Sequence, residues 1–335
     1  MKSFQINSNE AGQRFDKYLK KLLSQAPGSF VYKMLRKKNI TLNGKKADGS
    51  EKLNIGDEVK LFLSDDTFEK FSSWQSNSQK GESRDAFAGK YPRIPLDIIY
   101  EDDDILVINK PAGMLSQKAA PNDISANEYI IGYLLSDDKI SEKELVTFHP
   151  SVCNRLDRNT SGLLIAGKSL KGLQEMSKQL KERSTEKYYR CLVKGQINKN
   201  QLIEGWLVKD EKSNKVKIYS KEIADGKYIK TGYQPIQHFF IQNGAFKENY
   251  TLLEVHLITG RSHQIRAHLA SIGHPIVGDG KYGDKKVNQT FAKAFDIHFQ
   301  LLHAYRMKFP DGRELTAPLS KEFQRVLAPD SILKK

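Results

Sequence analysis

The segment Arg155-Leu156-Asp157-Arg158-Asn159-Thr160-Ser161-Gly162-Leu163-Leu164 sets one carboxylate between two guanidinium groups, then opens an apolar run on a glycine. An opposite charge within a few ångströms favours the ionised form of a carboxylate. Asp157 is therefore a candidate nucleophile or base at neutral pH. Arginines also grip phosphates, so the setting suggests chemistry on a nucleic acid. A second segment is Thr259-Gly260-Arg261-Ser262-His263-Gln264-Ile265-Arg266-Ala267-His268-Leu269. There an apolar strand, Leu252–Ile258, runs into a Gly-led turn and a helix, whose N-terminus offers free N–H groups and a positive end to a phosphate. Arg261 sits at the turn and Arg266 inside the helix. A turn-rich connector, Gly273 to Gly283, and the strand opening Lys187-Tyr188-Tyr189 complete the set. On residue type alone the plainer readings stay open. Asp157 could belong to a structural ion-pair network, Tyr189 to the core, and Arg266 to a helix surface.

Composition narrows the partner. The chain has 335 residues, 39% of them hydrophobic, and a formal charge of +14. That balance favours nucleic acid or another polyanion as partner, though charge alone leaves a merely basic protein an equal alternative. Two cysteines, Cys153 and Cys191, cannot build a disulfide framework or a four-thiolate zinc site. His263, His268 and His274 do not share a helical face, so no metal is expected. No segment approaches the roughly 18 apolar residues of a membrane span, and the first residues lack the apolar core of a signal peptide. The expectation is a soluble, cytoplasmic monomer.

These residues need a frame. Residues 1–64 read as a small basic module. Phe15, Leu19, Leu22 and Leu23 recur at helical spacing over 12–24, and Pro27-Gly28 ends that helix. Ser29 is expected to cap a second one, with Val31, Met34 and Leu35 inward. Lys33, Arg36, Lys37 and Lys38 crowd its outer face and end. Short strands follow at Ile40–Leu42 and Glu58–Leu63. The stretch carries thirteen Lys and Arg against six Asp and Glu, half of the chain's positive excess in a fifth of its length. Such a concentration points to RNA contact by those four residues. Residues 65–90 have a linker composition, in which Trp74 and Phe87 could dock on a neighbour. Residues 91–330 read as one strand-rich domain with strands at Ile98–Tyr100, Ile105–Asn109, Leu163–Ala166, Tyr188–Lys194, Thr251–Leu257 and Leu301–Phe309. Helices are expected at 126–135, 170–182 and 262–272. The order does not alternate as βαβ units would, so the fold class is α+β with a mixed, mostly antiparallel sheet.

Residues 1–64 resemble an S4 RNA-binding domain, through the helix ending at Lys37-Lys38-Asn39 and the following Ile40-Thr41-Leu42-Asn43-Gly44-Lys45. The larger part resembles the RluA/RluC/RluD-type pseudouridine synthases. Five segments carry that likeness, in the family's order: Asn109-Lys110-Pro111-Ala112-Gly113, the Arg155 to Leu164 run, Lys187-Tyr188-Tyr189, Thr259 to Arg266, and Leu302-His303-Ala304. The resemblance implies isomerisation of uridine in RNA, large-subunit ribosomal RNA above all, without metal or organic cofactor. It implies that Asp157 is the catalytic aspartate, that Tyr189 stacks on the target base, and that Arg266 pairs with the aspartate. Arg155 matches an arginine that fills the space left by the flipped nucleotide. Arg158, Thr160, Arg261 and His263 are further substrate contacts on this reading. Attack at C1′ of the ribose, attack at C6 of the base and removal of a 2′ proton all stay open for Asp157.

The chain departs from the family where His commonly precedes the Arg-Leu-Asp element; here Cys153-Asn154 stand. That departure is the best support for a rival reading, an RNA-binding or assembly protein without catalysis. A carboxylate-dependent glycosidic hydrolase of nucleic acid is a third reading. His303 is expected to be a packing residue, Cys153 an inert thiol, and Lys110-Pro111 the end of a strand.

Overall fold

The structure, a computed structural model, describes residues 1–72, 89–142, 144–243 and 246–328. Trp74 and Phe87 lie outside the described residues.

The N-terminal part is a four-stranded antiparallel sheet with helices against it. Its elements are β1 (Lys2–Gln5), α1 (Phe15–Leu22), α2 (Gly28–Arg36), β2 (Ile40–Leu42), β3 (Lys45–Lys46), β4 (Glu58–Leu61) and α3 (Asp65–Phe71), with strand order β1-β4-β2-β3. The apolar stripe of α1 puts Phe15, Tyr18, Leu19 and Leu22 in one core with Val31 and Leu35 of α2 and Val59 of β4. Two expectations are corrected here. Ser29 lies inside α2, whose cap is Pro27. The segment expected to be linker from residue 65 instead begins with α3: the Ser64 side chain accepts from the Thr67 N–H, and Phe68 is buried in the N-terminal core. A seven-residue helix carrying one core aromatic leaves too little periodicity to be read from composition.

The larger part is built on one eleven-stranded sheet. In chain order its elements are β5 (Ile98–Glu101), β6 (Ile105–Lys110), α4 (Ala126–Ser136), β7 (Ser151–Val152), β8 (Ser161–Gly167), α5 (Leu170–Glu182), β9 (Glu186–Lys194), β10 (Gln201–Asp210), β11 (Lys215–Tyr219), β12 (Lys227–Asn243), β13 (Phe246–Leu257), α6 (Gln264–Ser271), α7 (Lys285–Phe295), β14 (Leu302–Lys308), β15 (Glu314–Thr316) and α8 (Lys321–Leu327). The strand order is β11-β10-β12-β13-β9-β14-β8-β6-β5, with β15 on β14 and β7 on β8. Every pairing given for these strands is antiparallel except β14 with β8. The fold is thus α+β with a mixed, mostly antiparallel sheet, as the sequence predicts.

Alternation on β6 and β8 explains the layering. Leu106, Ile108, Leu164 and Ala166 pack with Ile130 and Leu134 of α4, while Ile105, Val107, Leu163 and Ile165 pack with Met176 of α5. Because both faces are covered, β8 is buried along its whole length and its sequence is an unbroken apolar run. Gly162, at φ +110°, is required where β8 meets β14: a Cβ there would fall 2.2 Å from the Ala304 carbonyl oxygen.

The two parts touch. The Thr147 hydroxyl donates to Glu10 at 2.7 Å, and Val146 packs against the N-terminal core.

Candidate active site

Asp157 follows from the way its loop is tied down. β6 ends at Lys110, whose fully buried ammonium donates to the carbonyls of Pro111 (2.9 Å), Met114 (2.8 Å) and Arg158 (3.0 Å). Burial pulls the Lys110 pKa down to about 7, opposed by the charge of Asp157. Three carbonyl acceptors, each needing an N–H, favour the ammonium. Arg158 returns the clamp: its Nε donates to the Gly113 carbonyl at 3.0 Å and its carbonyl accepts from the Gly113 N–H at 2.9 Å. On the other side of Asp157, the Ser116 hydroxyl donates to the Leu156 carbonyl and accepts from the Leu156 N–H. The carboxylate is thus fixed between two residues whose backbones are locked to the facing loop.

α6 supplies the partner. His263 adopts the left-handed conformation (φ 57°) ahead of Gln264, so the helix begins two residues later than expected. Gln264 holds the entry: its Oε1 accepts from the Thr259 hydroxyl and the Arg261 N–H. Arg266, two residues on, donates from Nη1 to Asp157 at 2.7 Å. Its other edge donates to Asp279, Nε at 2.7 Å and Nη2 at 2.8 Å. Asp279 is fully buried and also accepts from the N–H groups of Lys281 and Tyr282. Burial opposes both charges, but the pair outweighs it. The Arg266 guanidinium is raised above the usual arginine value by Asp279 and Asp157, and the Asp279 carboxyl is lowered by Arg266. The Tyr282 ring lies 5.4 Å from the guanidinium, and its hydroxyl bonds His263 Nδ1 at 2.9 Å.

Tyr189 stands on β9 in register with Val255 of β13 and Ala304 of β14. Its ring is buried in the main core and its edge lines the same cavity. Burial first, then the charge of Asp157, raises its phenol far above the ordinary tyrosine value, so it stays protonated.

These groups border a cavity of about 610 Å³, within the range of small-molecule sites. Asp157, Tyr189 and Arg266 line it together, as do Arg155, Thr160, Arg261 and His263. Arg155 and Arg261 are exposed at its mouth, whereas Thr160 is buried and its hydroxyl accepts from Gln300. Arg158 is not part of the lining; its side chain is spent on Gly113. The ion pair to Asp157 therefore comes from Arg266, 109 positions away, and not from the flanking arginines. Lys33, Arg36, Lys37 and Lys38 are exposed on the N-terminal part, away from the cavity lining, and none has a carboxylate partner among the described residues.

The remaining candidates have structural partners. Asn154 accepts from the Ile165 N–H at 2.8 Å and donates to the Leu163 carbonyl, so it borders β8 as a strand partner. Burial pushes the Cys153 thiol up to about 12, leaving it a poor nucleophile at neutral pH. His263, His268 and His274 bond separately to Tyr282, Thr231 and the Lys194 carbonyl. Among the described residues no three His, Cys, Asp or Glu groups are placed to hold a metal ion, and no helix is long and apolar enough to cross a membrane. Asp279 and the clamping role of Lys110 are what sequence reasoning missed. The signal for the first was present in Gly278-Asp279-Gly280, a tight turn holding one acidic residue after an apolar pair.

Residues 104–271 match the family described as RNA pseudouridylate synthase. Across nearly its whole length the chain is similar to the ribosomal large subunit pseudouridine synthase C of Escherichia coli (strain K12), with 31% identity over 98% of this chain and 93% of that protein. The protein of the same name from Vibrio parahaemolyticus is 29% identical over 96% of this chain and 94% of its own. Two human structures share the fold. RNA Pseudouridylate Synthase Domain Containing 4 superposes with a TM-score of 0.55 at 19% identity, covering 71% of this chain and 94% of that one. RNA Pseudouridylate Synthase Domain Containing 1 gives 0.52 at 23%, covering 67% and 83%.

Proposed function

Because this chain belongs to the RNA pseudouridylate synthase family, we propose that it converts particular uridines of large-subunit ribosomal RNA to pseudouridine, with Asp157 as the group that starts the reaction. In that isomerisation the C1′–N1 bond breaks, uracil turns, and a C1′–C5 bond forms. C5 loses its proton and N1 ends as N–H, so nothing is gained or lost overall and no redox cofactor is called for. A stacked uridine cannot reach a pocket, and flipping it out costs a few kcal/mol.

Each side chain has a part in this reading. Asp157 meets the swung-out nucleotide at its glycosidic bond. Arg266 fixes the direction of the carboxylate and is itself held by Asp279. Tyr189, a neutral phenol at rest, offers its ring to the uracil and its O–H to the site. Thr160 and His263 bound the nucleotide, and Arg261 meets the backbone at the mouth. Arg155 fills the space left in the RNA stack. Lys33, Arg36, Lys37 and Lys38, in the S4-like part spanning 1–64, bind a remoter stretch of the same RNA. The protein acts as a cytoplasmic monomer without metal or organic cofactor.

The reading is carried by one observation: among the described residues the only carboxylate lining the cavity, Asp157, is bonded at 2.7 Å to a buried arginine and shares that cavity with Tyr189. Asn154, once the best argument for a non-catalytic protein, is occupied as a strand partner and takes nothing from that chemistry. The test is pseudouridine mapping of ribosomal and transfer RNA from cells with and without the gene, followed by Asp157→Asn in the purified enzyme. Modified positions that vanish with the gene, and a folded variant that binds RNA without converting it, are expected. Unchanged maps, release of free uracil, or full activity of Asp157→Asn would each defeat the proposal.

A further inference from the structure

Among the described residues six cationic side chains line the cavity, Lys118, Arg155, Lys187, Lys209, Arg261 and Arg266, against one carboxylate. Arg266 is consumed by Asp157 and Asp279; Lys118 and Lys209 pair with Glu128 and Glu211. Three remain without a carboxylate partner among the described residues. Arg155 and Arg261 are exposed at the mouth. Lys187 differs, because it is drawn into the wall. Its Nζ lies against the turn that opens towards Arg261, where a Cβ on Gly260 would sit 3.7 Å away. Leu180 and Leu257 line the same wall. Neither a hydrogen bond nor an ion pair engages its ammonium among the described residues. Burial and then the nearby Arg183 pull its pKa below the ordinary lysine value, as expected of a cation lacking a counter-ion. Leaving a partly buried ammonium unpaired costs free energy, so an anion arriving there is favoured.

Position narrows what that anion is. Lys187 and Tyr189 project from the same face of β9, two residues and therefore about 7 Å apart along the strand. A group held by Lys187 is thus one short step from a ring held by Tyr189. We propose that Lys187 receives a backbone phosphate beside the flipped nucleotide, anchoring the strand while Tyr189 holds the base. This rests on the RNA-modifying reading above.

The experiment uses the full-length enzyme and a synthetic large-subunit rRNA fragment containing a uridine that the wild-type protein converts. Lys187→Met should weaken RNA binding about ten- to a hundredfold, the span of one charge-assisted contact. It should lower the slope of log affinity against log salt by roughly 0.7, one phosphate on a single strand. The loss should fall on KM more than on kcat, and Lys187→Arg should recover most of the slope. Neutral methylphosphonate linkages are then placed one at a time on either side of the uridine. One of them should weaken wild-type binding yet leave Lys187→Met unaffected. The proposal is overturned if both proteins lose equally at every linkage, or if Lys187→Met keeps the wild-type slope. Should Lys187→Met fail to fold, Lys187→Arg and the linkage series on wild type decide the matter: no sensitive linkage beside the uridine refutes it. A wild type that converts no uridine would instead refute the proposed function, so the two failures are separable.

Discussion

Replacing Asp279 with alanine separates the scaffold of the site from its chemistry. Asp279 touches no cavity surface, yet it accepts both Nε and Nη2 of Arg266 and two backbone N–H groups. Removing one partner of a buried ion pair costs about 3–5 kcal/mol, because the other charge is left uncompensated. For a domain of this size each kcal/mol is worth about 2–4 °C in Tm, so Asp279→Ala should melt roughly 6–20 °C below wild type. Arg266 would then keep a single anchor, Asp157, and the two would swing together. A displacement of about 1 Å at reacting groups can cost on the order of a hundredfold in rate, so kcat should fall by about that factor, measured in single turnovers below the variant's Tm. RNA affinity should hold within about twofold, since no phosphate contact is lost. Asp279→Asn keeps an acceptor and should lie between the two. A variant of Asp279→Ala with wild-type Tm and kcat would refute the argument that this carboxylate aims Arg266.

Lys110→Met should take a donor from three carbonyls, leaving only that of Arg158 with another, the Gly113 N–H, and cost about 2–4 kcal/mol, seen in urea denaturation, with increased proteolysis of the loop after β6. A wild-type midpoint would deny Lys110 its clamping role. His303 is buried, bonds Ser161 through Nδ1, and is pulled down by burial to about 4. Its folded pKa lies below the unfolded value, so its stability contribution is whole above about pH 6.5 and is lost as pH falls towards 4, to the extent of about 3 kcal/mol. His303→Asn should therefore lose less stability than wild type across that window; parallel curves would rule it out. Changing Lys33, Arg36, Lys37 and Lys38 together to Gln should weaken RNA binding and flatten its salt dependence by about 0.7–0.9 per lost phosphate contact while sparing Tm. An unaltered slope would mean that this face does not touch RNA.

Local patterns revealed much of this protein. β6, β8, β9 and β14 announce themselves as short apolar runs, and α5 as a 3.6-residue stripe behind the Ser169 cap. β12 escaped because Gly232 and Pro235 punctuate it; the structure absorbs the proline at a bulge between Pro235 and Gln237, where the ladder needs no N–H. β10 and β11 are largely polar, with only alternate residues covered. Within the site, Asp157, Tyr189 and Arg266 stood out by motif. Their geometry did not, because charges adjacent in sequence looked like the natural partners of Asp157. Arg158 turned to Gly113 instead, and a helix more than 100 residues on delivered the real counter-ion. Asp279 stayed hidden for the same reason, since a pair made across a fold leaves no local signature.

The parallel contact between β8 and β14 joins Ser161 to His303, residues 142 positions apart. Closing so large a loop delays folding, because chain entropy must be spent before such a contact repays it. β9 finds one neighbour in β13 and the other in β14, so on a nascent chain the strand bearing Tyr189 gains its second neighbour only once β14 has been made. The ribosome must have polymerised past residue 308 before the cavity can acquire its final wall, and an unfinished polypeptide should be inert towards the RNA around it.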